Sequence, residues 1–270
     1  MNQKEIAFVK TVWDFYDTSG RHDLPWRQTT DPYAILVSEL MLQQTQVTRV
    51  VSKYAAFMVA YPTVHTLATT GLGGVLRLWQ GLGYNRRAKF LWQCAQEIVD
   101  KYDGVFPKDQ RQLQALPGIG PYTAAAICAF AYNQPVELIE TNVRQVYIHH
   151  FFTKAAQVTD QEILHKVART MPVDRARAWY AAVMDYGTYL KATHGNNTRK
   201  RKGYLKQSAF KGSDRQIRGA ILRALQSGRL DEQAFEAELS TFASDRVQRQ
   251  TAALLAEGLV VKGRQYYQLP

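Results

Sequence analysis

An all-α fold closed by a small winged-helix-like module is what this sequence predicts, and three observations carry the prediction. Apolar residues recur at helical spacing almost everywhere up to Leu190. Strand-like alternation is absent before the last dozen residues. Prolines at 32, 62, 107, 117, 135 and 172 punctuate the pattern where helices start or connect. With 270 residues and 46% hydrophobic content, the chain can bury a proper core as one large domain or two modest ones. The pattern divides it into a body of about ten short helices (1–195), a basic linker or loop (196–213) and the C-terminal module (214–270).

In chain order, Pro32 opens a helix whose Ile35, Leu36 and Leu40 share a face, with Glu39 among them and Gln43 one turn on. Val47, Val50, Val51, Tyr54 and Phe57 keep the helical spacing, as do Leu91, Ala95, Ile98 and Tyr102. Leu116-Pro117-Gly118-Ile119-Gly120-Pro121-Tyr122-Thr123 reads as a turn that opens a helix. Gly118 and Gly120 allow positive φ and close backbone approach, and Pro121 suits the first helical position. Downstream, Leu138 to Asn142 sets a carboxylate, Glu140, beside an amide, Asn142, just after a helix-to-helix connection. His194 to Ser213 loses periodicity and is rich in Asn, Gly, Lys and Arg. Helical spacing resumes over Asp214 to Gln226, then over Asp231 to Leu239 and Ser244 to Glu257, the last two opening on an Asp or Ser cap. Val260-Val261, Lys262-Gly263-Arg264 and Tyr266 to Leu269 give a hairpin signal, and three helices plus a hairpin is the plan of a winged helix.

Charge points to the partner. A formal net charge of +11 and a pI near 9.6 favour a polyanion over a membrane surface. No stretch is long and apolar enough to span a bilayer, Met1 to Lys10 lacks the apolar core of a secretory signal, and two cysteines make no disulfide framework. The expectation is a monomeric, cytoplasmic, nucleoid-associated protein that binds double-stranded DNA and no membrane. Free N–H groups at the helix start after Gly118 and Gly120 form an anion site suited to a phosphodiester, with Thr123 alongside. The Leu116–Gly120 hairpin can also host a monovalent or alkaline-earth ion. Glu39, flanked by apolar residues, is expected to hold its proton more tightly, as a general acid must. Gln43, Gln44 and Gln46 supply amides that read base edges or wedge into a duplex. Other residues read as structural: Trp13, Phe15 and Tyr16 as core, His149-His150 as helix packing, Asp185 as support for a cap or hairpin, and Cys94 as an inert thiol.

Several of these motifs together resemble the MutY-type adenine DNA glycosylases of the helix-hairpin-helix, endonuclease III-like superfamily. They are Leu24-Pro25-Trp26-Arg27, the run from Ser38 to Val47, Trp79-Gln80-Gly81-Leu82-Gly83-Tyr84 and the hairpin from Leu116 to Ile127, in register across roughly Asp14 to Leu190. The resemblance implies two helical subdomains and a base-excision repair enzyme that flips a mispaired base out of the duplex, most simply adenine opposite 8-oxoguanine or guanine, and hydrolyses its N-glycosidic bond. It matches Glu39 to the acid that protonates the purine, Glu140 to the second carboxylate, Asn142 to the neighbouring amide and Tyr122 to an active-site tyrosine. Tyr84 matches the aromatic wedge, with Gln43 and Gln44 beside it. Lyase-competent relatives carry lysine at the position of Tyr122, and a tyrosine cannot form a Schiff base, so no AP-lyase activity is expected.

Three departures stand out. Glu140 replaces the usual aspartate. Lys191 stands where the first of four cluster cysteines would fall and no cysteine follows Cys128, so an iron–sulfur cluster is expected to be absent; Arg199, Lys200, Arg201 and Lys202 can supply phosphate contacts instead. The tail from Asp214 is too short for a MutT-like domain. Three alternatives stay open: a thymine or uracil mismatch glycosylase, a modified-base glycosylase, and a catalytically silent damaged-DNA-binding protein.

Overall fold

The computed structural model describes residues 1–204 and 209–270. Eleven α-helices precede residue 195: α1 (Gln3–Ser19), α2 (Pro32–Leu42), α3 (Val47–Ala60), α4 (Val64–Ala68), α5 (Leu72–Trp79), α6 (Arg86–Tyr102), α7 (Gln110–Gln114), α8 (Pro121–Tyr132), α9 (Thr141–Phe151), α10 (Asp160–Thr170) and α11 (Ala176–His194). The tail adds α12 (Asp214–Ala224), β1 (Leu230–Asp231), α13 (Glu232–Glu238), α14 (Ser244–Ala256), β2 (Val261–Lys262) and β3 (Tyr266–Gln268). The chain groups into two compact units, the first Met1–Leu36, Pro107–Ala115 and Ile119–Lys206, the second Val37–Phe106, Leu116–Gly118 and Gln207–Pro270. Residues 1–195 contribute to both units, in line with the two helical subdomains that the resemblance implies, and the C-terminal module groups with the second.

In the first unit, α1, α8, α10 and α11 pack around α9. Phe8, Val12, Val143, Val146, Tyr147, Ile163, Val167 and Trp179 fill the core. Ala124, Ala125, Ala126 and Ala129 are at most 1% exposed, small enough for α8 to be enclosed on nearly all sides. Trp13, Phe15 and Tyr16 lie on the rim of this core rather than inside it. Tyr180 fixes the approach to α9: its hydroxyl accepts from the Leu138 N–H at 3.0 Å and donates to the Val136 carbonyl at 2.7 Å. Asp185 anchors the segment ahead of α2, accepting from the Arg21 N–H (2.8 Å) and from both terminal nitrogens of Arg27 (2.5 and 2.8 Å). That explains the arginine in Leu24-Pro25-Trp26-Arg27, and it makes Asp185 a tether of the chain rather than a helix cap.

The segment after α11 has more form than its composition predicts. Asn197–Lys200 makes a 3₁₀ turn, held where the Gln145 side chain donates to the Gly195 carbonyl (2.8 Å) and accepts from the Asn197 N–H (2.8 Å).

The second unit has two apolar layers. Val50, Phe57, Leu67, Val75, Trp79, Leu91 and Ile98 form one, and Ile217, Ile221, Leu225, Leu254 and Leu259 form the other. The predicted hairpin forms as β2 and β3, and β1 joins it to give an antiparallel sheet in the order β1-β3-β2. Two residues of β1 were too short a stretch to alternate visibly. Asp231 caps α13 as expected, its side chain accepting from the Ala234 N–H at 2.7 Å. Ser244 does not cap α14; it is the first helical residue, and Ala243 precedes it without a side-chain bond. Three helices and this small sheet give the winged-helix-like element.

Candidate active site and nucleic-acid interface

Glu39 lies on α2 and is 6% exposed, between Val37 and Ser38 on one side and Leu40 and Met41 on the other, all at most 1% exposed. Pro32 starts this helix, as its fixed φ favours. The segment is so apolar that burial all round holds it in place, and the carboxylate is carried into the interior with it.

α2 runs out into a turn bearing Gln43 and Gln44, and a second turn between α5 and α6 bears Tyr84. Gln44 and Tyr84 both have positive φ (54° and 47°), a conformation costly for residues with a side chain. Arg87 meets this cost. It is 7% exposed and donates through Nη1 to the carbonyls of Leu40 (2.5 Å), Met41 (3.1 Å) and Gln43 (2.6 Å), and through Nη2 to those of Leu82 (3.1 Å) and Gly83 (2.9 Å). One guanidinium therefore braces both turns, and burial pulls its pKa down to about 10. Gln43, Gln44, Tyr84 and Gly118 line a single open cleft of about 580 Å³, joined there by Arg215 and Arg218. Neither Arg87 nor Arg215 was picked out from sequence. An arginine one place before Ala88 on the buried face of α6 was the available signal for the first.

The glycine turn divides its work unequally. Gly118 has φ +73°, and a Cβ there would collide with Phe90. Gly120 does not need positive φ: it is extended (φ −84°, ψ 177°) and caps α8, with Pro121 at the start of the helix. Among the described residues, and apart from its chain neighbours, no atom lies within 4 Å of where its Cβ would be, so the approach to its backbone is open. Thr123 is buried, at 2% exposure. Tyr122, half-buried, packs on the core of the first unit.

Glu140 is the N-cap of α9. Its Oε1 accepts from the N–H groups of Asn142 (2.6 Å) and Val143 (2.9 Å), while the Asn142 amide donates to Oε2 at 3.4 Å. Burial pushes its carboxyl above the ordinary range; the two N–H groups and Arg144 pull the other way without cancelling it. Gly187 on α11 lets the two helices approach here, since a Cβ would sit 2.6 Å from the Asn142 carbonyl oxygen.

The basic run is split. Lys200 donates to the Thr153 carbonyl at 2.8 Å and Arg201 pairs with Asp160 at 3.2 Å, whereas Arg199 and Lys202 are exposed. His150 is a packing residue, stacked against Phe8 and bonded to the Tyr186 hydroxyl at 3.0 Å. Cys94 and Cys128 are both buried, and burial raises both thiols. Two enclosed thiols in separate units do not fit a four-thiolate cluster, and among the described residues no group of three or more His, Cys, Asp or Glu is arranged to hold a metal. No helix among them is long and apolar enough to cross a membrane.

The sequence pattern of the HhH-GPD superfamily of base excision DNA repair proteins matches residues 37–172. The adenine DNA glycosylase of Mycolicibacterium smegmatis is 36% identical over 265 residues, a match covering 91% of this chain and 90% of the relative. That of Mycobacterium tuberculosis is 33% identical over 270 residues (92% and 88%). The human adenine DNA glycosylase is 40% identical over 149 residues, 52% of this chain and 27% of the human protein. Among solved structures, a thermostable thymine-DNA glycosylase superimposes with a TM-score of 0.66 at 27% identity, covering 74% of this chain and 93% of its own. Endonuclease III in a non-covalent DNA complex shares the fold, with a TM-score of 0.58 at 19% identity over 70% of this chain and 87% of its own.

Proposed function

Because the chain belongs to the HhH-GPD superfamily of base excision DNA repair proteins, we propose that it is a monofunctional DNA glycosylase that excises adenine mispaired with 8-oxoguanine or guanine. The observation that carries this reading is the near full-length likeness to proteins named adenine DNA glycosylase, over 91% of the chain.

The residues divide the chemistry between them. Base removal breaks the bond between the sugar C1′ and the base nitrogen, and the electron pair leaves with adenine. Glu39, carried into the interior on α2, gives its proton to a ring nitrogen of the departing purine. The sugar is left with oxocarbenium character, which the Glu140 carboxylate stabilises until water adds at C1′; the proton that water gives up restores the Glu39 acid. Oε1 of Glu140 is committed to the α9 cap, so Oε2, steadied by the Asn142 amide, faces this task. Tyr122 offers no amine, so strand cleavage through a Schiff base does not follow. Neither carboxylate reaches a stacked base, and the nucleotide must be flipped out. Gln43, Gln44 and Tyr84 fill the gap it leaves, the Gly118–Gly120 turn and the N-terminus of α8 hold an adjacent phosphate, and Arg199 and Lys202 add contacts to the backbone. The partner is double-stranded DNA bearing a mispair, and the working form is a monomer.

A second reading, excision of thymine from T:G, is favoured by the likeness to the thymine-DNA glycosylase. A pyrimidine leaves as an anion and needs an acid less, which favours adenine in a site containing Glu39. Single-turnover incubation with A:8-oxoG, A:G, T:G and U:G duplexes, followed by alkali, separates the two. Abasic sites from adenine mispairs are the expected outcome, with no nicking before alkali and no borohydride-trapped complex. Preferential release of thymine would install the second reading. Tight binding to abasic DNA without cleavage of any duplex would overturn the enzyme assignment.

A further inference from the structure

The wedge residue Tyr84 is held by the C-terminal element. Arg215, on the first turn of α12, donates from Nη1 to the Tyr84 hydroxyl at 2.9 Å, and its guanidinium carbon lies 5.6 Å from the centre of the Tyr84 ring. Arg87 lies at the same distance from that ring, but its nitrogens are spent on backbone carbonyls. Arg215 thus addresses the tip of the side chain with a hydrogen bond that Arg87 does not make among the described residues. It does so from the C-terminal element, which other residues of that element hold to α5 and α6 within the same unit. Arg218 pairs with Glu257 at 2.6 Å, and Lys89 donates to the Glu257 carbonyl at 2.5 Å. Arg77 donates to the Gln226 carbonyl at 3.3 Å, and Gly73 passes so close to the Pro270 carbonyl that a Cβ there would collide with it.

Resting on the proposed glycosylase reading, we propose that Arg215 is a positioning residue for Tyr84, and that through it the winged-helix-like element is a working part of the wedge that opens the duplex. The physical need is clear. Arg87 braces the backbone of the turn that bears Tyr84, which leaves the orientation of the ring and hydroxyl to contacts made by the side chain itself. A phenol donates poorly placed contacts if it swings freely; a guanidinium bonded to its oxygen and lying near its ring restrains both ends. The likeness to the Mycolicibacterium relative covers 91% of the chain and must extend past residue 213, which marks only about four-fifths of the length, so that relative retains part of this element as well.

The test combines Arg215→Ala, Arg215→Lys, Tyr84→Phe and the double variant Arg215→Ala/Tyr84→Phe with a duplex carrying 2-aminopurine next to the mispaired adenine. Two quantities are read: the rise in 2-aminopurine fluorescence on binding, which reports unstacking at the wedge, and the single-turnover excision rate at saturating protein. Arg215→Ala is expected to lower the fluorescence amplitude and to slow excision about 10-fold, with Kd changed less than about 3-fold. The double variant should be no slower than Arg215→Ala, because both changes break one linkage. Arg215→Lys should recover part of the amplitude through its ammonium. Wild-type amplitude and rate in Arg215→Ala, or losses that multiply in the double variant, would overturn the proposal. If wild-type protein excises nothing, the glycosylase reading fails, while the fluorescence amplitudes of the four variants still decide the coupling of Arg215 to Tyr84.

Discussion

Glu140 is where residue chemistry departs most from the resemblance. Its carboxylate folds back onto the start of its own helix, where Oε1 takes two backbone N–H groups. Glu140→Gln keeps an acceptor for the cap but loses the charge; single-turnover excision should fall at least about 100-fold with little change in Tm. Glu140→Ala loses the cap too and should cost about 1 kcal/mol of stability, read by urea unfolding. The carboxylate must be ionised to stabilise the sugar cation, and burial raises its pKa above the ordinary 4.5. The acid limb of the excision rate therefore falls at a pH above 4.5, and a limb at or below that value would exclude Glu140 as the group responsible. The burial of Glu39 was legible from sequence because its neighbours on α2 are apolar. Arg87 and Arg215 were not, since an arginine on a helix reads as a solvated charge until the turns it bonds are brought beside it.

At the scale of the element, the helix order up to α11 was legible because 3.6-residue spacing and proline positions agreed. The 3₁₀ turn at Asn197–Lys200 was not, because it is held by Gln145, some fifty residues earlier. The two turns that carry Gln43, Gln44 and Tyr84 rest on Arg87. Arg87→Ala would take a charged donor from five buried or half-buried carbonyls, of which Gly83 keeps the Trp79 indole N–H, and the loss should exceed about 3 kcal/mol in urea unfolding. Arg87→Lys should recover little of it, because an ammonium cannot span both turns as a planar fork does. Gly118→Ala meets both a φ of +73° and the Phe90 side chain. A cost of about 1–3 kcal/mol and weakened binding to duplex of any sequence are expected, since the proposed role of the turn is to hold a phosphate and not a base.

For the whole molecule, charge governs both stability and binding. Arg169 holds Glu5, and Arg144 with Arg201 holds Asp160, below the ordinary carboxylate range; Asp185 is lowered too, despite burial, by Arg27 and Arg21. In each case the unfolded chain takes up a proton that the folded chain refuses, so this stability is full above about pH 4.5 and drains as pH falls below it. Burial also pulls His150 from 6.5 to about 4, so the same sign applies over that higher window. Urea midpoints should therefore decline from pH 7 toward pH 4 and then more steeply. Binding to duplex should weaken with salt, and removing the exposed Arg199 and Lys202 should flatten that dependence more than removing Lys200 and Arg201, which already have protein partners. The split of the basic run was hidden in the sequence, because it depends on contacts with Thr153 and Asp160 in distant segments; two helical subdomains were expected from the resemblance, but not which segments make up each unit. Purine protonation by Glu39 bears most of the functional assignment. Single-turnover excision of adenine from A:8-oxoG by Glu39→Gln, read beside Kd for the same duplex, should fall at least about 1,000-fold with Kd within about 3-fold of wild type. Excision at the wild-type rate by Glu39→Gln would contradict it.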